Sequence, residues 1–399
     1  MHIDPSQFDP SQFDEIIDRR GTGCSKWDDM ERRYSIAAEN GLAMWVADMD
    51  FRPPHAVTQA LRDLADHGIY GYSGDDSAYR AAIQWWMAER HGWDVDPSHI
   101  FSTHGLVNGA ALCMDAYSEP GDGIVLFTPV YHAFFRMIKA AGREAVQCPM
   151  TLTDGRYTLD FDAFDAMMSG RERMLMLVSP HNPGGRVWTR AELEAIAAFA
   201  RRHDLVIVSD EIHHDLVRPG HTHVPMTQID GVEDRLVMMT AATKTFNIAG
   251  AHLGNVIIAD PVLRARFAQR IAALGISAGL FGERMVEAAY SPEGARWVDG
   301  LTRYLDANAQ LFDAAIAEIP GAQSIPLEGT YLAWVDFSGT GMSSDEIRHR
   351  ICGTAQIAPN FGATFGEGGE GFMRFNLGTQ RARVAEATDR LRDVFADLQ

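Results

Sequence analysis

Lys244 is the residue whose position points most directly to chemistry. It follows the apolar run 236–240 and lies among alanine, threonine and glycine residues, so its amine should be buried beside a strand with open space around it. Partial desolvation lowers the pKa of an ammonium group and makes the amine a nucleophile toward carbonyl carbons. The alternative is a lysine that ends a strand and extends to water. On this segment alone, both interpretations stand.

Asp210 ends a second apolar run, 205–210, where a carboxylate needs a cationic or hydrogen-bonding partner. It could cap a helix or a turn. It could also belong to a metal site, because residues 210–215 contain two histidines and His221 and His223 follow. No metal-ligand spacing fits, however, and no metal is predicted. The interpretation we favour is pairing with a protonated heterocyclic nitrogen.

Apolar strands alternate with amphipathic helices through the middle of the chain. The predicted strands are 124–128, 143–148, 174–179, 205–210 and 235–240, and the predicted helices include 131–141, 161–169 and 190–203. Thr189 should begin the last of these helices in a capping box with Glu192. This order predicts an α/β fold with a mostly parallel sheet covered on both faces. Ligands bind such sheets at the carboxyl ends of the strands, which selects Tyr131, 179–185, 210–213 and Lys244.

Composition argues against several classes of protein. With 399 residues, 46% hydrophobic and 22% charged, the chain has the composition of a globular protein large enough for more than one domain. A net charge of −19 argues against nucleic acid or an anionic membrane as partner. No apolar run reaches the roughly 20 residues of a membrane helix, and the first residues do not resemble an export signal. Four scattered cysteines fit reduced thiols, so a cytoplasmic location is predicted.

Pyridoxal 5′-phosphate (PLP) is a heterocyclic cofactor whose needs these residues meet. Its aldehyde needs a lysine and its pyridine nitrogen needs a carboxylate, which Lys244 and Asp210 can supply. Asn182 and His213, at neighbouring strand ends, can reach the ring hydroxyl. Tyr131, which follows another strand, can stack on the ring. The sequence therefore predicts PLP as the cofactor.

The cofactor phosphate would need backbone amides. Residues 102–108 lead into the apolar helix 109–117, and the amides of Gly105, Leu106 and Val107 lie at its N-terminus. Helix N-termini favour anions, so these amides suit a phosphate. The glycine alone could mark only a turn.

Several motifs spread over nearly the whole chain carry a family resemblance; they occupy 13–22, 26–28, 44–51, 69–72, 181–188, 209–213, 243–250 and 373–378. They resemble those of fold-type-I PLP enzymes in the aspartate-aminotransferase superfamily, of which Asn182, Asp210, Lys244 and Arg374 are typical. Residues 45–51 and the Asp-Glu-Ile-His segment at 210–213 favour one branch over the aminotransferases. That branch is the C–S lyase family of MalY/PatB-type cystathionine β-lyases.

The resemblance implies a role for each matched residue. Lys244 would bond the cofactor and then act as acid and base; with Asp210 and Tyr131 it forms the predicted catalytic set. Arg374 would hold the substrate α-carboxylate as a bidentate fork, the alternative being a surface ion pair. The other implied substrate contacts are Ala47 and Asn182. The implied cofactor contacts are Lys244, Asp210, His213, Asn182, Tyr131, Gly105, Leu106, Val107, Thr243, Tyr72 and His252.

Two of these cofactor contacts carry expectations of their own. Tyr72, rather than Tyr70, would reach the phosphate bound by a second copy of the chain, which implies a homodimer with active sites at its interface. His252 stands eight residues after Lys244, where aminotransferases of this superfamily usually have arginine. The anchoring of the phosphate should therefore differ from theirs.

The resemblance implies α,β-elimination on L-cystathionine, cysteine or related cysteine S-conjugates, with a thiol, pyruvate and ammonia as products. An aminotransferase would use the same residues and would require a keto acid. A regulatory or binding protein with the PLP fold is a third possibility, disfavoured because Lys244 and Arg374 are both present. Nothing in the sequence indicates which thiol substrate is preferred.

The implied architecture is a large PLP-binding domain, 50–290, with a mostly parallel sheet of seven strands. A smaller α+β domain, 291–399, would be joined by the N-terminal segment 1–49. In it, 329–336 and 371–377 should be antiparallel strands and 381–398 the last helix. Residues 4–14 contain an immediate duplication, and residues 1 to about 12 are predicted to be dispensable to the fold.

Overall fold

The computed structural model describes residues 10–398. Most of the segment predicted to be dispensable lies outside that range. The strands are β1 Leu42–Ala43, β2 Ile100–Thr103, β3 Gly123–Thr128, β4 Glu144–Pro149, β5 Thr151–Thr153, β6 Arg156–Thr158, β7 Glu172–Val178, β8 Val206–Asp210, β9 Leu236–Thr240, β10 Gly254–Ile257, β11 Gln323–Ser324, β12 Leu332–Asp336, β13 Ile357–Ala358, β14 Asn360–Phe361 and β15 Phe372–Asn376.

The α-helices lie mainly between these strands and at the two ends of the described chain. They are α1 Ser25–Asp28, α2 Met30–Tyr34, α3 His55–His67, α4 Ser77–His91, α5 Leu106–Tyr117, α6 Ala133–Ala140, α7 Phe161–Met167, α8 Arg190–Arg202, α9 Ala242–Thr245, α10 Pro261–Leu274, α11 Leu280–Ala289, α12 Pro292–Ile316, α13 Ser344–Arg348 and α14 Arg381–Val394. None of these described helices has both the length and the apolar character needed to cross a membrane.

A seven-stranded sheet forms the centre of the fold, in the spatial order β2-β10-β9-β8-β7-β3-β4. The pairings from β9 to β4 are parallel, and β10 runs antiparallel to both of its neighbours. The predicted α/β class and mostly parallel sheet are confirmed. Successive residues of β7 enter different cores: Met174 and Met176 pack on one face of the sheet, while Leu175 and Leu177 pack on the other. Burial on both faces explains why these strands are continuously apolar.

A second sheet of four antiparallel strands, in the order β11-β12-β15-β14, packs with α12 and α14 around its own core. The antiparallel pairing predicted for its two long strands is confirmed. The domain boundaries predicted after residues 49 and 290 remain predictions, although the two sheets do lie on opposite sides of the second boundary.

The predicted helix starts and ends agree with the structure to within a few residues. Thr189 and Glu192 form the predicted capping box at the start of α8, with both reciprocal hydrogen bonds present. The last helix was predicted to reach residue 398 but ends at Val394. There the Phe395 amide bonds the Arg392 carbonyl, three residues back, and a 3₁₀ turn follows. This tightening is common where a helix ends.

Candidate active site

A cavity of about 370 Å³ opens where the carboxyl ends of β7 and β8 meet the turn after β9. The register aligns Val178 with Asp210 and Asp210 with Met239, so residues that follow these three strands meet at one edge of the sheet. The cavity is lined by Ala47, His104, Gly105, Leu106, Val107, Tyr131, Val178, Asn182, Asp210, Ile212, His213, Thr243, Lys244, Ala249 and His252. All predicted site residues except Arg374 and Tyr72 are therefore brought together here.

Asp210 places a buried carboxylate against this cavity. One of its oxygens accepts a hydrogen bond from the Ile212 amide at 3.2 Å. Burial, helped by the neighbouring Glu211, raises the pKa of Asp210 to about 7, against the opposing effects of the Ile212 amide and Lys244. Among the described residues, no cationic side chain forms an ion pair with it. A carboxylate in this position is ready to pair with a cationic ligand.

Lys244 lies in α9, a single helical turn that follows β9. Its ammonium donates a hydrogen bond to the Ala47 carbonyl. Burial lowers the pKa of Lys244, while Asp48 and Asp210 oppose that effect and Arg374 adds to it. The surface alternative considered for this lysine is therefore wrong, because the amine lines the cavity and is desolvated. A lysine with a lowered pKa is a better nucleophile and base near neutral pH.

Arg374 is 2% exposed and belongs to β15 of the second sheet. Its guanidinium donates to Asn182 Oδ1 at 2.8 Å, to the Trp45 carbonyl at 2.9 Å and to Asn360 Oδ1. Its buried Nε has no partner within residues 10–398, and burial lowers the pKa of Arg374 to about 10. The surface ion pair considered for this arginine is wrong, because no carboxylate of the described residues pairs with it. A buried guanidinium without a counter-ion suits a ligand carboxylate.

Asn182 links Arg374 to the cavity. Because its Oδ1 accepts from Arg374, its Nδ2 is the atom left to donate to a ligand. His213 lies nearby in the wall; it is 2% exposed, its Nδ1 has no partner in the described part of the chain, and its ring meets Tyr331 edge-on at 5.8 Å. Burial and the charges of Lys244 and Arg374 hold the pKa of His213 well below its usual value, so its imidazole is neutral.

Gly105 directly precedes α5 beside the cavity. Its φ of +83° is a conformation that favours glycine, and a Cβ there would meet nothing within 4 Å. Among the described residues, no side chain caps this twelve-residue helix, so the amides of Leu106 and Val107 lack a capping oxygen, whereas the Gly105 amide donates to the Thr103 carbonyl at 2.8 Å. The amides at the start of α5 can receive an anion.

Two predicted contacts have distinct surroundings. His252 does line the cavity, but it is exposed and has a left-handed backbone with φ of +46°. Tyr72 lies away from the cavity, in a surface groove beside Glu283, with its side chain fully exposed. Within one copy of the chain, the structure does not bring Tyr72 to the other site residues.

A second cavity, of about 330 Å³, shares Ala47, Tyr131 and Lys244 with the first and contains Arg374. Sequence reasoning missed most of its lining, because these residues come from segments far apart in the chain: Arg33, Tyr34, Trp45, Val46, His132, Asn360 and Phe361. Of these, Trp45 lay in a motif already noted, and His132 follows the predicted Tyr131. Asn360 had no local signal. The two cavities together can hold a cofactor and the amino acid that reacts with it.

The metal alternative for residues 210–215 divides between two places. Asp210 and His213 face the cavity. Glu211 instead forms a hydrogen bond with His223, with 2.7 Å between Oε2 and Nε2, and neither residue lines the cavity. Among the described residues, one group of possible metal ligands is found, His91, His214 and Asp215, and it excludes both Asp210 and His213. The residues at the cavity therefore do not form the metal site considered from the sequence.

Comparison with known proteins places this arrangement in a family. Residues 41–391 match the family described as "Aminotransferase class I and II". "Cystathionine beta-lyase PatB" of Bacillus subtilis is 37% identical over 384 residues, covering 95% of this chain and 98% of that protein. "Protein MalY" of Escherichia coli is 30% identical, covering 93% of this chain and 95% of that protein.

A solved structure shows the same fold. The crystal structure of cystalysin from Treponema denticola, whose description states that it contains a pyridoxal 5′-phosphate cofactor, superposes with a TM-score of 0.92. It is 34% identical, and the match covers 97% of this chain and 99% of that one. The predicted resemblance is confirmed: the chain belongs to the aminotransferase class I and II family and to the group that contains PatB and MalY.

Proposed function

We propose that this protein is a PLP-dependent carbon–sulfur lyase that cleaves L-cystathionine or a related cysteine S-conjugate. One observation carries the cofactor assignment: the Asp210 carboxylate is buried, without a cationic partner among the described residues, in the cavity that also receives the Lys244 amine. PLP presents a protonated ring nitrogen and an aldehyde, which these two groups match.

The other cavity residues fit the remaining parts of the cofactor. The amides of Leu106 and Val107 would hold its phosphate together with Thr243, which is 7% exposed. The amide of Gly105, also predicted for this role, already donates to the Thr103 carbonyl. The unpartnered nitrogen of His213, the free amide of Asn182 and the ring of Tyr131 would contact the pyridine ring and its hydroxyl. His252, exposed at the rim, would complete the phosphate contacts.

When bound, PLP supplies an electron-withdrawing ring that stabilises negative charge at the substrate Cα. Asp210 would keep the ring nitrogen protonated by accepting its hydrogen bond. Arg374 would orient the substrate by pairing with its α-carboxylate. Lys244 would then remove the Cα proton. Together with Asp210 at the ring nitrogen and Tyr131 against the ring, it would form the catalytic set. Loss of the thiolate from Cβ and hydrolysis by one water give a thiol, pyruvate and ammonia.

The choice of a lyase over an aminotransferase is supported by the relatives rather than by the cavity, because both reactions need the same residues. PatB is named a cystathionine β-lyase and is 37% identical over nearly its whole length. A relative of that identity and coverage is more informative than the fold alone, since one fold serves many reactions. A purely regulatory protein is disfavoured because the cavity keeps Lys244 and Arg374 in place.

The test is a reaction without a keto acid. Purified protein, PLP and L-cystathionine should release pyruvate, ammonia and free thiol in equal amounts over many turnovers. Turnover that begins only after a keto acid is added would contradict the lyase and establish an aminotransferase. S-methylcysteine and cysteine in parallel reactions would rank the substrates.

A homodimer is part of this proposal. Tyr72 and its neighbours Ile69, Tyr70 and Phe281 expose large apolar side chains, with Tyr72 fully exposed. Such a patch is typical of a surface covered by another protein. The Tyr72 hydroxyl would reach the phosphate bound by the other copy. Mixed Lys244→Ala and Tyr72→Ala subunits should then regain activity in heterodimers, because one site keeps both wild-type residues; no gain on mixing would contradict the shared site.

The same proposal includes a cellular location and a division into two domains. The four cysteines are all unpaired, which supports a reducing, cytoplasmic location. The segments 1–49 and 291–399 would form the small domain beside the large domain 50–290. Limited proteolysis that cuts first near residue 290 would support this division.

A further inference from the structure

The turn that follows β8 places side chains in two different surroundings. Asp210, Ile212 and His213 line the cavity. His214 and Asp215 are buried elsewhere, and the Asp215 carboxylate is fully enclosed. None of the catalytic steps proposed above uses Asp215.

Asp215 is the centre of a dense hydrogen-bond network. Its carboxylate accepts from Trp86 Nε1 at 3.0 Å, from Thr245 Oγ1 at 2.8 Å and contacts His91 Nε2 at 2.8 Å. His214 Nε2 lies 3.1 Å from the same carboxylate. Although burial alone would raise it, His214 and His91 hold the pKa of Asp215 well below its usual value. The carboxylate is therefore charged and joins α4, the β8 turn and α9.

The link to α9 connects two turns that carry predicted catalytic residues. Thr245 directly follows Lys244, and α9 is only four residues long, with no described side chain capping it. So short a helix has little stability of its own and depends on outside contacts for its position. The Thr245 hydroxyl bond to Asp215 is a contact that ties the Lys244 turn to the turn of Asp210 and His213.

We propose that Asp215 is a positioning residue that holds Lys244 in register with Asp210 through the Thr245 hydroxyl. The proposal rests on the proposed function only in that Lys244 is taken as the residue that bonds the cofactor. Both ends of the link are buried and both lie one or two residues from cavity-lining positions, so a small shift at Asp215 is passed to the cavity.

A divalent cation is the competing use of the same residues, because donor atoms of His91, His214 and Asp215 lie within 4.8 Å of one another. The hydrogen-bond network is favoured because Trp86 and Thr245 already donate to both carboxylate oxygens. Elemental analysis of the purified holoenzyme separates the two: one equivalent of zinc or another transition metal per chain would overturn the proposal.

The test compares two substitutions at Thr245. Thr245→Val keeps the shape and removes the hydroxyl, whereas Thr245→Ser keeps the hydroxyl. In the holoprotein, the absorbance of the bound cofactor is followed against pH, since it reports the charge of the nitrogen that Lys244 contributes. The charged groups that face Lys244, namely Asp48, Asp210 and Arg374, are the same in both variants.

Thr245→Val should move the midpoint of this titration and lower kcat about tenfold with little change in KM, because small displacements of a reacting group are costly. Thr245→Ser should restore both values. Thr388→Val serves as control, since it removes another buried threonine hydroxyl, one on α14 that donates to the Ala385 carbonyl. A Thr245→Val midpoint equal to wild type, or one equally moved by Thr388→Val, would overturn the proposal. The titration needs no lyase activity, so it remains decisive if the protein catalyses another PLP reaction.

Discussion

Lys244 and Asp210 face one cavity but do not pair with each other. The Lys244 ammonium donates to the Ala47 carbonyl, and the Asp210 carboxylate accepts from the Ile212 amide at 3.2 Å. The partly buried amine and the buried carboxyl group are thus held apart by separate backbone partners. That separation leaves the amine free for an aldehyde and the carboxylate free for a cationic ring, and it makes each group testable alone.

Lys244 should be the lysine that bonds the cofactor. The chain has only three lysines, and of the other two Lys26 is buried in an ion pair with Asp50 while Lys139 is exposed. Borohydride reduction of the holoprotein, followed by peptide mass spectrometry, should label Lys244 alone. Lys244→Ala should lose the label and about 10²–10⁴-fold of activity, the usual contribution of a positioned acid–base group. Lys139→Ala is the matched control, and a label on Lys139 would contradict the assignment.

Without cofactor, the Asp210→Asn variant should gain stability relative to wild type as the pH rises. The pKa of Asp210 is raised from 3.8 to about 7 in the folded chain, so the folded state binds its proton more tightly than the unfolded state. Stability from this group is therefore present below about pH 4 and lost as pH rises toward 7, by up to ~4 kcal/mol. Urea unfolding at pH 5 and 8 should show the variant gaining on wild type at the higher pH. An equal difference at both values would contradict the raised pKa.

Addition of PLP should reverse the order of stability of the wild-type protein and the Asp210→Asn variant. With cofactor bound, the Asp210 carboxylate has a cationic partner. The neutral asparagine side chain cannot supply the negative charge that pairs with it. The Asp210→Asn variant should then bind PLP more weakly than wild type and lose about 100-fold or more in kcat, because a stabilising charge at the reacting group is removed.

Arg374→Lys should impair substrate binding more than cofactor binding. Lysine keeps the charge but lacks the planar guanidinium, whose N–H groups donate to three different acceptors in this structure. The loss in kcat/KM should correspond to ~2–5 kcal/mol, most of it in KM, as for other buried charged contacts. Steady-state kinetics measure it, and the exposed Arg303→Lys change is the control. An unchanged KM would mean that another residue holds the carboxylate.

Asp50 should contribute to stability in a pH window set by its own pKa. Its enclosed carboxylate bonds Lys26 Nζ at 2.8 Å, Arg19 Nη1 at 3.0 Å and Trp27 Nε1 at 3.0 Å. Burial alone would raise its pKa, but Lys26 and the other donors hold it at about 2, below the ordinary 3.8. The stability is thus present above about pH 4 and lost as pH falls toward 2.

The Asp50→Asn variant tests this window. At pH 7 it leaves Lys26 buried without its counter-ion, so unfolding should be easier by ~3–5 kcal/mol. The gap to wild type should shrink as the pH falls from 4 to 2, because wild-type Asp50 then becomes neutral too. Denaturant midpoints across that range measure the gap. Asp389→Asn, at a largely exposed position, should change stability by no more than ~0.5 kcal/mol.

Local patterns predicted much of this structure correctly. The capping box of Thr189 and Glu192 needs only residues three positions apart, so it could be read directly from the chain. The alternation of apolar strands and helices likewise predicted the sheet and the edge where ligands bind, because parallel strands end on one side. Lys244, Asp210 and Asn182 could be selected on that basis, each being a polar residue that ends or follows an apolar strand.

The partners of those residues could not be predicted. Arg374 contacts Asn182 and the Trp45 carbonyl across 192 and 329 positions, and Thr245 reaches Asp215 across 30. Such contacts depend on how separate segments pack, and no local spacing encodes them. The sequence by itself determined the sheet, its ligand-binding edge and the residue types available there. Only the tertiary structure decided which of them are desolvated, which remain unpaired and which are held by one another, because burial and hydrogen bonding arise when distant segments meet.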